Sequence, residues 1–295
     1  MVKYIANKND EGQTLFKFVK KTQKDTKLSI IYKWFRIGNI KVNNKRIKNN
    51  NYIIKENDEI IIYDTSAKKE LRDKVETVDF STLKVIYEDK NILIADKDAN
   101  VEMHSQYNIS LDQIIKSYLI SKNDYKIENE NSFVISHINR IDKLTSGLVI
   151  YAKNKEAQAY FLQAIKNKNQ IQKTYIAKIE GVYQGPLVVK GYLKYDEDKK
   201  QSLFSLEEKK DYKKCSMEVK QISKEVIEIK LHTGRKHQIR AVLAYYKSPI
   251  VGDFRYGAKK TFDKKIDLIS KKLEFNNMEK FEYLNKQSFE SDRHF

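Results

Sequence analysis

The stretch NRIDKLTSGLVIYAKN, residues 139–154, places a polar loop before an apolar run and ends where a helix can begin. The apolar run from Leu148 to Ala152 predicts a buried strand, and Asn154 is typical of a helix N-cap. Arg140 and Asp142 lie in the polar loop, and the Thr-Ser-Gly that follows them suits a tight turn. Taken alone, the loop is compatible with an ordinary turn between two strands.

Apolar runs on either side of this stretch predict a fold that mixes strands with helices. Helical spacing predicts two helices, one capped by Ser110 and one by Asn154. Because these helices interrupt runs of strands, we expect an α+β domain built on a mixed, largely antiparallel sheet. The other predicted strands are short apolar runs bounded by polar turns, at residues 83–87, 91–95, 133–138, 173–180, 187–193, 217–222, 226–231 and 272–275.

A second segment, TGRKHQIR at residues 233–240, leads into a helix predicted to end at Tyr246. The first backbone amides of a helix carry partial positive charge, and Gly234 would let a phosphodiester approach them. Four basic side chains accompany these amides: Arg235, Lys236, His237 and Arg240. The segment favours binding of a phosphate, and a solvated helix terminus with a glycine cap is the alternative interpretation.

The N-terminal part of the chain is strongly basic, since residues 14–48 contain eleven Lys or Arg and one acid. Apolar residues at helical spacing predict two short helices, the second ended by Gly38. Short strands are predicted around turns at residues 41–45, 52–54 and 59–63. The basic run is either a nucleic-acid-binding face or a solvated surface of a lysine-rich protein.

Length and composition narrow the classes of function. The chain has 295 residues, a formal charge of +17 and 40% hydrophobic residues, which is enough to bury a core. Its longest apolar runs are far shorter than the ~20 residues that span a bilayer. A single cysteine, Cys215, provides neither an internal disulfide nor a thiolate metal cage, which fits a reducing cytoplasm. We expect a cytoplasmic protein with domains at residues 1–65 and 83–295, joined by a linker at 66–82.

Together the two quoted segments resemble the RluA-type family of RNA pseudouridine synthases. The family reads HRLD and then TSG where this chain has NRIDKLTSG, and it reads TGRxHQIR where this chain has TGRKHQIR. The resemblance covers about residues 83–275. Two further family motifs, PxxGDxxYG and a Lys-x-Tyr strand, are matched by Pro249, Gly252-Asp253, Tyr256-Gly257 and Lys173-Thr174-Tyr175.

This resemblance implies an isomerisation of uridine to pseudouridine that needs no metal ion and no cofactor. It implies Asp142 as the nucleophile, attacking either the sugar or the pyrimidine ring. It implies Arg240 as the salt-bridge partner that favours the carboxylate form of Asp142, and Tyr175 as the aromatic residue that stacks on the uracil. The implied substrate-binding residues surround these three: Arg140, Arg235, His237, Gln238 and Ile239.

The resemblance also bears on the RNA substrate. It implies that Arg140 contacts an RNA phosphate and helps to hold the target nucleotide outside its helix. Turning a nucleotide out costs a few kcal/mol, least in a loop or bulge, so loops of structured RNA are the expected substrates. The chain departs from the family in residues that concern the fine contacts to this nucleotide, with Asn139 and Val242 in place of histidines and Asp98 in place of a proline.

Residues 12–63 resemble the α-L RNA-binding domain, which was first described in a small-subunit ribosomal protein. The order helix, helix, glycine and Lys-Val-Asn fits this domain, while Phe16 stands where the family usually has an acidic residue. The resemblance implies that the N-terminal module tethers RNA. The implied RNA-binding residues lie on the two helices and the following turn: Lys17, Lys20, Lys33, Arg36, Lys41, Asn43, Lys45 and Arg46.

Large-subunit ribosomal RNA is the substrate that these resemblances favour. The stretch from Tyr256-Gly257 to Lys265 resembles the RluC-like branch of the family, and relatives with this N-terminal module often act on that RNA. Two alternatives stay open, a synthase that acts on transfer RNA and a non-catalytic RNA-binding factor of ribosome assembly. We expect RNA as the partner, no membrane association and a monomer.

Overall fold

A computed structural model describes residues 1–67, 77–259 and 265–295. The chain divides into two units. The smaller unit comprises Met1–Asp79, Ile115–Ile135 and Lys153–Glu156, and the larger comprises Phe80–Ile114, Ser136–Ala152 and Ala157–Phe295. The domain boundaries at residues 65 and 83 stay a prediction. Residues 68–76 of the predicted linker lie outside the described part of the chain.

Two helices in the smaller unit carry much of the basic run. Helix α1 spans Leu15–Thr22 and helix α2 spans Leu28–Ile37. Thr14 caps α1, because its hydroxyl accepts a hydrogen bond from the Lys17 amide at 3.3 Å. Gly38 ends α2 at φ 73°, a left-handed conformation that glycine adopts without strain. Both predicted helices and the end of the second are confirmed.

The smaller unit also contains a four-stranded antiparallel sheet in the order β1-β4-β2-β3. The strand β1 was not predicted. The predicted strand at residues 52–54 is wrong, because this segment makes only a single bridge between Thr14 and Ile53 before the Asp58 carboxylate accepts the Lys55 amide and turns the chain. The strands are β1 Val2–Ile5, β2 Ile40–Val42, β3 Lys45–Arg46 and β4 Glu59–Ile62.

A large sheet forms the centre of the larger unit. Its order is β11-β10-β12-β13-β9-β14-β8-β6-β5, with β15 paired to β14 and β7 paired to β8. All neighbours are antiparallel except β14 and β8, so the mixed, largely antiparallel sheet is confirmed. The strands are β5 Val85–Glu88, β6 Ile92–Lys97, β7 Ser136–His137, β8 Ser146–Ala152, β9 Ile171–Lys178, β10 Val188–Asp196, β11 Gln201–Ser205, β12 Lys213–Gln221, β13 Val226–Leu231, β14 Leu268–Phe275 and β15 Ser288–Glu290.

Two predictions about these strands are corrected. The apolar run 133–138 contributes only β7 to the sheet, because Phe133 and Ile135 are buried without joining a ladder. The strand β11 was not predicted, because its sequence alternates polar and apolar residues only briefly. Burial of apolar side chains and pairing of the backbone are separate properties, and the sequence pattern reports mainly the first.

Three further helices are α3 Leu111–Ser121, α4 Lys155–Ala164 and α5 Gln238–Tyr245. Helix α3 starts as predicted at Ser110, whose amide and hydroxyl both donate to the Gln113 side-chain oxygen. Helix α4 buries Phe161 against Phe275 of β14, with 6.4 Å between the ring centroids. Few helices on a mixed sheet confirm the α+β class. Within the described residues, none of the helices has the length and apolar character needed to cross a membrane.

Gly147 makes a close approach between β8 and β14 possible. Its φ is 108°, and a Cβ atom added there would overlap the backbone of Ser270. We therefore expect Gly147→Ala to lower the free energy of unfolding by at least about 2 kcal/mol, from backbone strain and displaced pairing. Urea denaturation measures this loss. Gly181→Ala is the matched control, because Gly181 also has a positive φ, of 82°, but faces open space; an equal loss in both variants would refute the overlap.

Candidate active site

A cavity of about 1110 Å³ lies in the larger unit. Its wall is formed by the loop between β7 and β8, by β9 and by the segment that leads into α5. The predicted catalytic and substrate-binding residues all line this cavity: Asp142, Tyr175, Arg240, Arg140, Arg235, His237, Gln238 and Ile239. Residues from distant parts of the sequence therefore meet at one concave surface, which is the usual setting of an active site.

Backbone hydrogen bonds fix the loop that carries Asp142. The Thr145 amide donates to the Asp142 carbonyl at 3.1 Å, and the Asn100 amide donates to the Lys143 carbonyl at 2.8 Å. The ammonium of Lys97, at the end of β6, also donates to the Lys143 carbonyl at 3.1 Å, and to the carbonyls of two neighbouring residues. Burial lowers the pKa of Lys97 to about 7, while nearby carboxylates, Asp142 among them, oppose that shift.

Asp142 belongs to a chain of charged contacts. Its side chain is 28% exposed, and Oδ2 accepts a hydrogen bond from the Arg240 guanidinium at 3.2 Å. The other edge of that guanidinium makes a bidentate pair with Asp253, at 2.7 and 2.8 Å. The side chains of Arg240 and Asp253 are only 3% and 1% exposed. Arg240 is thus held from behind and presents its remaining donors to Asp142.

The carboxylates on either side of Arg240 stabilise its charged form. Burial acts to lower the pKa of Arg240, but the adjacent carboxylates of Asp253 and Asp142 outweigh it and raise the pKa above its ordinary value. Arg240 is therefore a cation at neutral pH. Asp253 lies in the GDxxYG motif, but its role in holding Arg240 was not predicted from the sequence. The signal that could have found it was a carboxylate in a motif beside a site that contains an arginine.

His237 lies at the start of α5 and also faces Asp142. Its φ of 53° is left-handed, Nδ1 lies 2.9 Å from the Tyr256 hydroxyl, and Nε2 lies 3.7 Å from Asp142 Oδ2. Burial lowers the pKa of His237 to about 4, although Asp142 opposes the shift. At neutral pH the imidazole is therefore uncharged, and Arg240 is the permanent cation next to Asp142. The prediction that four basic side chains lie in the first turn of this helix is wrong, because α5 begins only at Gln238 and three of the four precede it.

Tyr175 and Ile239 give the cavity its apolar surface. Tyr175 lies on β9 and is 5% exposed, and burial raises the pKa of its phenol to about 12. Its phenol is neutral at physiological pH and offers a flat ring face. Ile239, in the first turn of α5, is also buried. The Thr145 hydroxyl, also in the cavity wall, is buried without a hydrogen-bond partner among the described residues.

The remaining predicted substrate-binding residues differ in their exposure and in their hydrogen bonds to protein groups. Arg140 and Arg235 are exposed, and Arg235 donates from Nε to the Lys214 carbonyl at 3.1 Å. Gln238 is buried, and its amide group is engaged by the protein itself. Its side-chain oxygen accepts from the Thr233 hydroxyl at 2.7 Å, and its nitrogen donates to the Ser216 carbonyl at 3.1 Å. Gln238 therefore orders the loop that precedes α5.

The three departures from the family pattern have local structural roles. The buried side chain of Asn139 accepts from the Ile150 amide at 2.8 Å and so fastens the loop to β8. Val242 is buried within α5. Asp98 pairs with Arg293 at 2.6 Å. None of these three side chains is hydrogen-bonded to Asp142 in the described part of the chain.

The RNA-binding residues predicted for the smaller unit lie mostly at its surface. Lys17, Lys20, Lys33, Arg36, Asn43, Lys45 and Arg46 are exposed, and Lys41 is half-buried, with its ammonium 4.7 Å from the centre of the Tyr63 ring. The Asn43 side chain is engaged, because it donates to Asp58 at 2.7 Å and accepts from the Glu59 amide at 2.9 Å. This turn therefore presents Lys45 and Arg46 on a fixed backbone.

Comparisons with known proteins agree with this geometry. The model of the family described as RNA pseudouridylate synthase matches residues 91–245. Over 289 residues the chain is 50% identical to an uncharacterized RNA pseudouridine synthase of Mycoplasma capricolum subsp. capricolum, which covers 97% of this chain and 95% of that protein. Over 261 residues it is 29% identical to a ribosomal large subunit pseudouridine synthase C of Buchnera aphidicola subsp. Baizongia pistaciae, covering 85% and 79% of the two proteins.

A solved structure shares the fold. Human RNA pseudouridylate synthase domain containing 1 superposes with a TM-score of 0.53 at 18% identity, covering 68% of this chain and 80% of that one. The family match spans more than half of the chain and includes Asp142, Tyr175 and Arg240. The resemblance stated from the two sequence segments is thereby confirmed at the level of the family. The chain belongs to the RNA pseudouridine synthase family, and it is an isomerase that converts uridine to pseudouridine in RNA.

Proposed function

We propose that this enzyme modifies uridines of large-subunit ribosomal RNA and uses Asp142 as its nucleophile. The observation that carries the proposal is the contact chain from Asp142 through Arg240 to Asp253. A carboxylate that faces a cavity, with a fixed cation behind it and a neutral imidazole beside it, is positioned for attack. No other carboxylate that lines the described cavity has this support, since Glu102 pairs with the surface lysine Lys143 at 2.8 Å.

The proposed chemistry needs only the chain and the RNA. The bond between ribose C1′ and uracil N1 breaks, the base turns over, a bond forms between C1′ and C5, the proton on C5 leaves to solvent, and N1 takes up a proton from solvent. Asp142 supplies an electron pair either to C1′ or to the pyrimidine ring, and it is released again at the end. Arg240 stabilises the carboxylate before attack and after release.

The other cavity residues are proposed to hold the reacting nucleotide. Tyr175 stacks on the uracil and keeps its phenol near the base while the base turns. Ile239 packs beside the ring. The exposed guanidiniums of Arg140 and Arg235 contact phosphates and keep the nucleotide outside its helix. Gln238 orders the loop before α5 through its bonds to Thr233 and Ser216, and His237 is held through Nδ1 by Tyr256 and turns Nε2 toward Asp142 and the nucleotide.

Support for ribosomal RNA comes from two sources. A relative with 29% identity bears the name ribosomal large subunit pseudouridine synthase C. The stretch from Tyr256-Gly257 to Lys265, which resembles the RluC-like branch, points the same way, although residues 260–264 lie outside the described part of the chain. Transfer RNA is the competing substrate, and it is an outcome of the test below.

The test is release of tritium from uracil C5 when the purified protein meets RNA labelled at that position. Unmodified large-subunit ribosomal RNA and a transfer-RNA pool are compared side by side. Release from ribosomal RNA alone is the expected result. Release from transfer RNA alone would overturn the proposed substrate, and release from neither RNA would contradict the proposal as a whole.

We further propose that the smaller unit holds the RNA as an α-L-type module. The exposed cations of α1, α2 and β3 carry this proposal, because they lie on one basic unit. Phosphate contacts of this kind raise affinity for any structured RNA and make it depend on salt. They supply a tether, and the cavity supplies the choice of nucleotide.

A fourfold variant tests the tether: Lys17→Gln, Lys20→Gln, Lys33→Gln and Arg36→Gln. Each lost phosphate contact lowers the slope of log affinity against log salt by about 0.7 to 0.9, so four contacts lower it by about 3. Filter binding between 50 mM and 200 mM salt measures the slope. The control neutralises four exposed lysines of the larger unit, Lys209, Lys210, Lys220 and Lys224, and should leave the slope near the wild-type value. Equal effects of the two sets would contradict a dedicated tether.

A further inference from the structure

One nearly buried cation in the cavity wall, Lys173, has no partner within the described part of the chain. Lys173 lies on β9, two residues before Tyr175, and is 7% exposed. Among the described residues, no hydrogen-bond acceptor or carboxylate contacts its ammonium, whereas the buried ammonium of Lys97 donates to three carbonyls. A lysine that is nearly buried and has no acceptor for its ammonium is costly, so a ligand with acceptor oxygens would lower that cost.

The surroundings of Lys173 select for an anion. On β14 its cross-strand neighbour is Leu273, which offers no acceptor. A charged side chain nearby is another cation, Lys168, whose ammonium donates to the Ile165 carbonyl at 2.7 Å. Burial first, and repulsion by Lys168 second, lower the pKa of Lys173 to about 8. At pH 7 most molecules still carry the charge, and a phosphate would remove both costs.

Space for a ligand exists beside this ammonium. The nearest atom to a Cβ built on Gly234 is Lys173 Nζ, at 3.6 Å, so the missing side chain leaves the ammonium open to the cavity. Arg235 follows Gly234 and is exposed in the same wall, as is Lys166. Nine of the described lining residues are Lys or Arg, against two carboxylates. This balance favours a negatively charged ligand.

We propose that Lys173, with Gly234 and Arg235, forms a binding site for the RNA phosphodiester next to the target nucleotide. This inference rests on the proposed role of the cavity as the uridine site. Side chains at residues 173 and 175 point to the same face of β9, about 7 Å apart along the strand, a distance that a nucleotide can bridge. When Tyr175 holds the base, Lys173 receives the adjoining phosphate, and the position of the sugar over Asp142 is fixed between them.

The test compares two pentauridylates, one with phosphodiester links and one with neutral methylphosphonate links. The ratio of their affinities for the protein measures how much the phosphate charges contribute to binding. Lys173→Met, which keeps an unbranched side chain without charge, should lower this ratio about tenfold, and Lys173→Arg should retain most of it. Lys178→Met is the matched control, because Lys178 lies on the same strand outside the cavity, and it should keep the wild-type ratio.

A second readout separates binding from chemistry. In single-turnover release of tritium from the RNA that the wild type modifies, Lys173→Met should raise the half-saturating protein concentration about tenfold and leave the maximal rate within a few fold. An unchanged affinity ratio in the pentauridylate experiment would overturn the phosphate site, as would a maximal rate lowered a hundredfold with binding unchanged. If the wild type releases no tritium from ribosomal RNA, the proposed function fails, while the pentauridylate comparison still decides the role of Lys173.

Discussion

Asp142→Asn is expected to lower the rate of tritium release by at least about 10⁴-fold, because the amide cannot supply the electron pair that the carboxylate supplies. The substitution keeps the shape of the side chain. Arg240 stays fixed by its bidentate pair with Asp253, so the cavity should keep its form. RNA affinity should stay within a few fold of the wild type, since loss of a negative charge does not weaken phosphate contacts.

The measurement uses single-turnover conditions with protein in excess, so that weak binding is not mistaken for a slow chemical step. The matched control is Glu102→Gln, which neutralises the other carboxylate that lines the described cavity and breaks its pair with Lys143. It should keep activity within several fold. A rate for Asp142→Asn within tenfold of the wild type would remove Asp142 from the role of nucleophile.

Asp253→Asn is expected to lower the free energy of unfolding by about 3–5 kcal/mol and to reduce activity strongly. The substitution leaves the buried guanidinium of Arg240 facing an amide that can accept at only one atom. Breaking a buried, hydrogen-bonded ion pair by neutralising one partner has this order of cost. Arg240 is then no longer held from behind, which shifts the position of the proposed nucleophile, Asp142.

Urea denaturation measures the loss of stability, and tritium release measures the loss of activity in the fraction that stays folded. The double variant Asp253→Asn with Arg240→Met should be more stable than Asp253→Asn alone, because it removes the unpaired charge. As a control, Asp292→Asn breaks an exposed pair with Lys84 and should leave the urea midpoint unchanged. A stability of Asp253→Asn equal to the wild type would refute the buried clamp.

The sequence alone predicted the elements that depend on neighbours along the chain. The apolar spacing of α1 and α2, the glycine at residue 38 and the Ser110 cap of α3 are local signals, and all three are confirmed. Where the pattern reports only burial, prediction failed. The run 133–138 is buried but forms only β7, and residues 52–54 form a single bridge. Backbone pairing depends on which strand lies alongside, and the residues of the apolar run do not specify that neighbour.

The family motifs in the sequence marked Asp142, Arg240 and Tyr175, and the match to the family model covers all three. The tertiary structure alone decided how they are arranged. Residues 142 and 253 meet at the Arg240 guanidinium although they lie 98 and 13 positions from it along the chain. The folded chain also leaves Lys173 nearly buried and without a partner among the described residues. Helix periods and caps act over a few residues, so a sequence displays them directly. The ion pair between Arg240 and Asp142 joins residues 98 positions apart, so only the folded chain determines it. Whether Lys173 finds a partner likewise depends on segments that are distant in the sequence.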